Sequence, residues 1–241
     1  KTGTSIPPYT SWETAADSIQ KCISICVFGD TIYVANGVYE EQVVMIPGLS
    51  LIGGGMDSCV ISLTSTGIPA VEIKDTCLLK GFSILLPNTL NTWGIQAEQN
   101  GYGSLITANR IVNASLGISI RYSNLLVYNN VFENIKSIGI RLFNSNSVTR
   151  RNSIYIDPNS QSGFISGIYI EAFNNNYSPT IDSNYIISPL GRSIYQSIGA
   201  RPIIKNNVIK FTQYGSDAIF LSSSDSAFIY NNLILIGTGI R

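Results

Sequence analysis

Tyr169, Tyr195 and Phe220 each follow an Ile that is itself preceded by a small residue: Gly167-Ile168, Ser193-Ile194 and Ala218-Ile219. Arg141 follows Gly139-Ile140 in the same way. If each Ile points into a core on an extended strand, the residue after it points out. That outward row reads Gln96, Ser119, Arg141, Tyr169, Tyr195, Phe220, and two positions on a second row reads Glu98, Arg121, Phe143, Glu171, Ser197, Ser222. A row of aromatic rings can stack on sugar rings, with a polar handle where the ring is Tyr. Its plainer role is cross-strand packing that stabilises the sheet. The charges in the two rows, Glu98 beside Arg121 and Arg141 beside Glu171, read first as surface ion pairs of about 0–1 kcal/mol.

Hydrolysis of a glycosidic bond needs two carboxyl groups roughly 5–9.5 Å apart. Glu98 and Glu171 stand three repeats apart, about 14 Å at strand spacing, which counts against them as such a pair. A third outward column, two residues before a recurring Asn, reads Thr107, Tyr128, Arg150, Asp182, Lys205, Tyr230. Its alternating signs read as a structural charge ladder. The catalytic alternative is a lyase base, Lys205 or Arg150, beside an acid. The chain has no His and no paired Cys motif, so no zinc site, catalytic cluster or cofactor site is assigned.

These rows exist only if the chain repeats. An Asn followed two positions later by an apolar residue occurs at Asn109, Asn130, Asn152, Asn184, Asn207 and Asn232, at steps of 21, 22, 32, 23 and 25 residues. The small-Ile pairs, from Gly94-Ile95 to Gly239-Ile240, interleave at the same period. A period in the low twenties marks a solenoid. The apolar residues are mostly Ile and Val in short alternating runs such as ISI, IYI and IFL, which is strand chemistry rather than the Leu pattern of leucine-rich repeats. Stacked coils place each Asn over the last, where the amides can bond along the stack.

The repeats over about residues 30–241 resemble those of the right-handed parallel β-helices of the pectate-lyase-like superfamily. The resemblance implies an all-β, single-stranded right-handed parallel β-helix whose small-Ile sheet lines a polysaccharide groove in the carbohydrate-active members. The opening stretch, with GVYEE at 37–41, is also similar to pectin methylesterases and to the first coil of secreted bacterial β-helix proteins. The motifs of the family's enzymes are missing: there is no Asp–His cluster as in polygalacturonases, no converging carboxylates for Ca²⁺ as in pectate lyases, and no methylesterase Asp pair.

One domain is expected, 1–241. Thr10 with Glu13 three residues later reads as a capping box, and Ala15, Ile19, Cys22, Ile23 and Cys26 keep helical spacing. Residues 10–27 are therefore predicted to form an amphipathic helix that caps the first coil, with coils over 30–241. Both connections around Gly167–Glu171 are long and loop-like, DPNSQSG and FNNNYSP, and insertions in a solenoid collect on the binding face. The four Cys are expected as free thiols; the open question is a Cys59–Cys77 disulfide.

Lys plus Arg equals Asp plus Glu at 15 each, so no charge steers the chain to nucleic acid or an anionic membrane, and no apolar run reaches membrane-span length. The start at Lys1 reads as a mature or excised segment. The unfinished coil at Gly239-Ile240-Arg241 leads to an expectation that the polypeptide continues or that an oligomer contact covers this end. The expected function is an extracellular or cell-surface, non-catalytic domain with a polysaccharide as candidate partner, held by Arg121, Arg141, Phe143, Tyr169, Glu171, Tyr195 and Phe220. The alternatives are a polysaccharide lyase or hydrolase, and a structural spacer or adhesin stalk.

Overall fold

The computed structural model describes residues 3–211, 216–222 and 226–236. Short strands repeat in threes, and each strand hydrogen-bonds in parallel to its counterpart one lap on, giving three parallel sheets. Among the described residues, sheet A runs from Thr31–Val34 to Phe228–Tyr230 and sheet B from Gly37–Glu40 to Leu233–Ile236, with nine strands each. Sheet C runs from Val43–Val44 to Asp217–Leu221, with eight strands among the described residues. The chain is an all-β parallel solenoid.

Inward columns from all three sheets fill the interior, and sheet C sends a second, Ala97, Ile120, Leu142 and Ile170. Leu79, Ile106, Val127, Ile181 and Ile204 come from sheet A; Ile84, Ile111, Phe132, Ile154 and Ile186 from sheet B; Ile95, Ile118, Ile140, Ile168 and Ile194 from sheet C. All are essentially inaccessible to solvent. Burying each such side chain is worth about 1.5–3 kcal/mol, which is why a chain with so few charges holds a long, thin core.

The corner between sheets A and B carries the ladder. Asn109, Asn130, Asn152, Asn184 and Asn207 are at most 1% exposed. From Asn130 to Asn232 the Oδ1 of each accepts the backbone N–H and the side-chain N–H of the Asn one lap earlier, from Asn109–Asn130 (3.0 and 3.2 Å) to Asn207–Asn232 (3.0 and 2.9 Å). Each Nδ2 also donates to a sheet A carbonyl of the preceding lap, as Asn152 does to Val127 O at 2.9 Å. The residue before each Asn turns the corner in the left-handed region, with Ala108 at φ 51° and Arg151 at φ 53°. At the first end of the ladder, Gly81 (φ 83°) and Phe82 occupy these two places, and the Phe82 N–H donates to Asn109 Oδ1.

The N-terminal helix is much shorter than expected. It covers Ile19–Ile23, and its N-cap is Ser18, not Thr10. Residues 13–15 instead pair with 4–6 through Thr4 N–H to Glu13 O, Ser5 N–H to Ala15 O and Ile6 N–H to Thr14 O. Ile19 and Ile23 are buried against the core, so the capping role rests on one helical turn. Cys59 and Cys77 are free and buried, Cys22 and Cys26 free and half-buried. Burial raises all four thiols, Cys26 to about 11, so none is activated. No described helix is long and apolar enough to cross a membrane. Gly239-Ile240 lies outside the described residues.

Candidate functional site

The register of sheet C places the first outward row throughout and the second as far as Glu171, while Ser197 and Ser222 lie beyond the paired strands. Gln96, Ser119 and Arg141 are partners in turn, then Tyr169, Tyr195 and Phe220. Glu98, Arg121, Phe143 and Glu171 align in the second row. All seven predicted residues therefore share one face.

Parallel in-register pairing sets how the rings sit. Tyr169 and Tyr195 stack at 5.3 Å with 29° between planes, and Tyr195 meets Phe220 at 5.5 Å and 62°. The Tyr rings thus turn faces toward each other along the solenoid axis and leave edges and hydroxyls outward. The Tyr169 hydroxyl shares a 2.9 Å hydrogen bond with Ser197 Oγ. Burial pushes the Tyr169 phenol above its ordinary range, away from the near-neutral value a general base needs.

The carboxylates of this face are paired. Arg121 bonds Glu98 at 2.8 Å, Arg141 bonds Glu171 at 3.0 Å, and Arg192 bonds Asp217 at 3.3 Å. The guanidiniums also lie against rings: Arg121 over Phe143 at 5.4 Å, Arg141 over Tyr169 at 5.9 Å, and Arg192 over Tyr195 and Phe220 at 4.3 and 4.1 Å. Phe143, predicted as an outward residue, is only 5% exposed because Tyr122, Phe173 and the two Arg side chains close over it.

Four contributors escaped the sequence reading. Phe164 packs on Tyr169 and Tyr195 at 5.0 and 5.7 Å, and Phe173 packs edge-on against Phe143 at 5.0 Å while staying 70% exposed. Both sit in the two long connections beside Ser166–Glu171, so the loop signal was present though the residues were not singled out. Tyr122 follows Arg121 at the left-handed end of its strand (φ 52°). Strict alternation gives Arg192 the parity of Ile194, yet its side chain lies on the aromatic row.

The third column also keeps its register, from Thr107 through Tyr128, Arg150, Asp182 and Lys205 to Tyr230. Arg150 is held by Asp182 at 3.1 Å, and a guanidinium does not release its proton in proteins. A shallow depression of about 670 Å³ lies beside it, bordered by Gly103, Asn124, Tyr128, Asn146 and Arg151. For Asp182, burial is the largest single influence and opposes ionisation. Hydrogen bonds from Asn206 and Ser183 and the charges of Arg150 and Lys205 together outweigh it and hold the carboxyl below its ordinary range. A lowered folded pKa means the stabilisation is full above the unfolded value near 3.9 and is lost as pH falls through the folded value. Asp182→Asn is therefore expected to cost on the order of 1 kcal/mol at pH 7 through its charge-assisted bonds to Arg150, Asn206 and Ser183, with the difference from wild type shrinking as pH falls below the unfolded value in urea unfolding. A difference that does not change with pH sinks this assignment. No cluster of three or more metal-ligating side chains occurs among the described residues.

Fold and face together define a parallel β-solenoid with an aromatic and ion-paired sheet surface. No protein-family model matches the chain, and no curated protein matches it. Among solved structures it is similar to a carrot pectin methylesterase, at 14% identity and a TM-score of 0.48 over 93% of this chain and 85% of that one. It is also similar to the A-module of the Azotobacter vinelandii mannuronan C-5 epimerase AlgE4, at 12% identity and 0.42 over 87% and 91%. An alginate lyase from Paenibacillus strain FPU-7 gives 12% and 0.42 over 90% and 94%. The likeness is confined to the fold.

Proposed function

We propose that this chain is an extracellular or cell-surface β-helix domain that holds polysaccharide on the outer face of sheet C without altering it chemically. The observation that carries this reading is the bordered aromatic surface around Ser166–Glu171. Tyr169, Tyr195 and Phe220 form its ridge, Phe164 closes one side, and the exposed Phe173 stands on the other beside Phe143. A saccharide lying along the ridge meets ring edges and hydroxyls, with apolar contact available at Phe173. Arg121, Arg141 and Glu171 line the same path and fix its polarity through paired charges.

Catalysis finds little support on this face. Glu98, Glu171 and Asp217 are each neutralised by Arg, and the Glu pair is too widely spaced for hydrolysis. The test is a glycan array with wild type and Tyr169→Ala/Tyr195→Ala. Wild type is expected to bind at least one polysaccharide, and the double variant to lose at least about tenfold, the equivalent of 1.4 kcal/mol. Equal binding by both proteins removes the ridge from the site. Unsaturated sugar ends formed from uronate polymers, read by absorbance, establish a lyase instead.

A further inference from the structure

We propose that a second cleft, between Trp12 and the first two laps of sheet A, takes one pyranose ring of a neutral polysaccharide. The cleft is about 310 Å³ and is lined by Trp12, Tyr33, Asn36, Ile52, Gly53 and Gly54 with the backbone between them. That volume is at the small end of ligand pockets, the size of a single ring rather than a chain.

Its aromatics differ from those of the ridge. Trp12 is 60% exposed and Tyr33 66%, and neither packs against another ring among the described residues. Neither is stacked on a second ring among the described residues, whereas Tyr169 and Tyr195 are stacked on each other. Trp12 is also held in place. Ser11 and Thr14 close its turn through a 3.2 Å hydroxyl contact, and the adjoining 13–15 stretch is pinned by backbone bonds to 4–6. Tyr33 stands on a sheet A strand whose register with Ile52 is fixed.

Gly53 and Gly54 give the cleft two lining positions without side chains. A side chain on Gly54 would meet Asn36 Oδ1 at 2.2 Å, so glycine there gives the Asn36 amide its place at the rim. The Tyr33 hydroxyl and the Asn36 amide supply donors and acceptors for sugar hydroxyls, and the indole suits the apolar face of a pyranose. None of the lining residues is charged. A uronate carboxylate would give up hydration here with no cation to meet it, so the ligand is neutral.

Incorporation of 5-fluorotryptophan tests this in the intact protein. The chain has two Trp, Trp12 and Trp93, and Trp12→Phe assigns the two ¹⁹F resonances. Titration with cellohexaose, xylohexaose and mannohexaose is expected to move the Trp12 signal saturably with at least one of them, at about 1 mM, while Trp93 stays put. Tyr33→Ala should weaken that response at least about tenfold, and hexagalacturonate should not produce it. Tyr169→Ala/Tyr195→Ala should leave it intact, so this cleft and the sheet C face stand or fall separately. The proposal is overturned if no neutral hexasaccharide moves Trp12, if hexagalacturonate moves it as far, or if the signal follows protein concentration alone, which would mean a second copy of the chain occupies the cleft.

Discussion

Asn152→Ala is expected to cost about 4 kcal/mol in urea unfolding. The residue is 1% exposed and serves four bonds with its amide. Oδ1 accepts from Asn130 N (3.0 Å) and Asn130 Nδ2 (3.1 Å), and Nδ2 donates to Val127 O (2.9 Å) and Asn184 Oδ1 (3.1 Å). Truncation leaves the buried Asn130 backbone N–H without its acceptor and takes a donor from Val127. Each orphaned group costs about 1–3 kcal/mol, and the space left by the amide adds to that. Asn232→Ala, in the more exposed last described lap, should cost less because water can reach the freed groups. A cost below about 1 kcal/mol for Asn152→Ala would show that the stacked amides supply shape and little free energy.

Gly139→Val is expected to be at least as damaging, with Gly139→Ala already costing about 3 kcal/mol. A Cβ at Gly139 would sit 2.5 Å from the Gly167 carbonyl oxygen and 2.8 Å from the Ile154 methyl. The first is backbone of the next lap and can yield only by a shift of the paired sheet C strands. Gly94, Gly117 and Gly167 meet the same obstacle at 2.4–2.6 Å, so these consecutive laps are closed around glycine, whereas Ser193 and Ala218 hold the same place in later laps with a Cβ. Gly163 provides the control, since a Cβ there meets nothing within 4 Å, and Gly163→Ala should be nearly neutral. Thermal and urea unfolding decide the matter: Gly139→Ala as stable as wild type contradicts the close-approach argument.

The repeat made most of this architecture readable. Two markers of one period located the Asn corner and the inward Ile of sheet C, and strand alternation then assigned Arg121, Arg141, Phe143, Tyr169, Glu171, Tyr195 and Phe220 to one face in the correct register. The reading failed where local pattern met distant chemistry. Thr10 and Glu13 matched a capping box, but the helix begins at Ile19, because Glu41 from the first lap accepts from the N–H groups of Ile19 (2.8 Å) and Gln20 (2.9 Å) and from Ser18 Oγ (2.9 Å). A carboxylate some twenty residues downstream leaves no mark on a local motif. Ring orientation was equally hidden: alternation says a Tyr points outward, while only the parallel stacking of laps turns Tyr169 and Tyr195 face to face. Phe164 and Phe173 come from loops, where no periodicity tells which side chain folds back.

The Asn-to-Asn bonds all run one way. An Asn gives its oxygen to the lap already made and waits for the next Asn to accept its backbone N–H. On a ribosome adding about 5–20 residues per second, that wait is longest for Asn152, whose acceptor Asn184 lies 32 residues on; at those speeds it lasts roughly 2–6 s. The Asn-to-Asn bond with the widest sequence gap therefore belongs to the lap that also carries the two long loops.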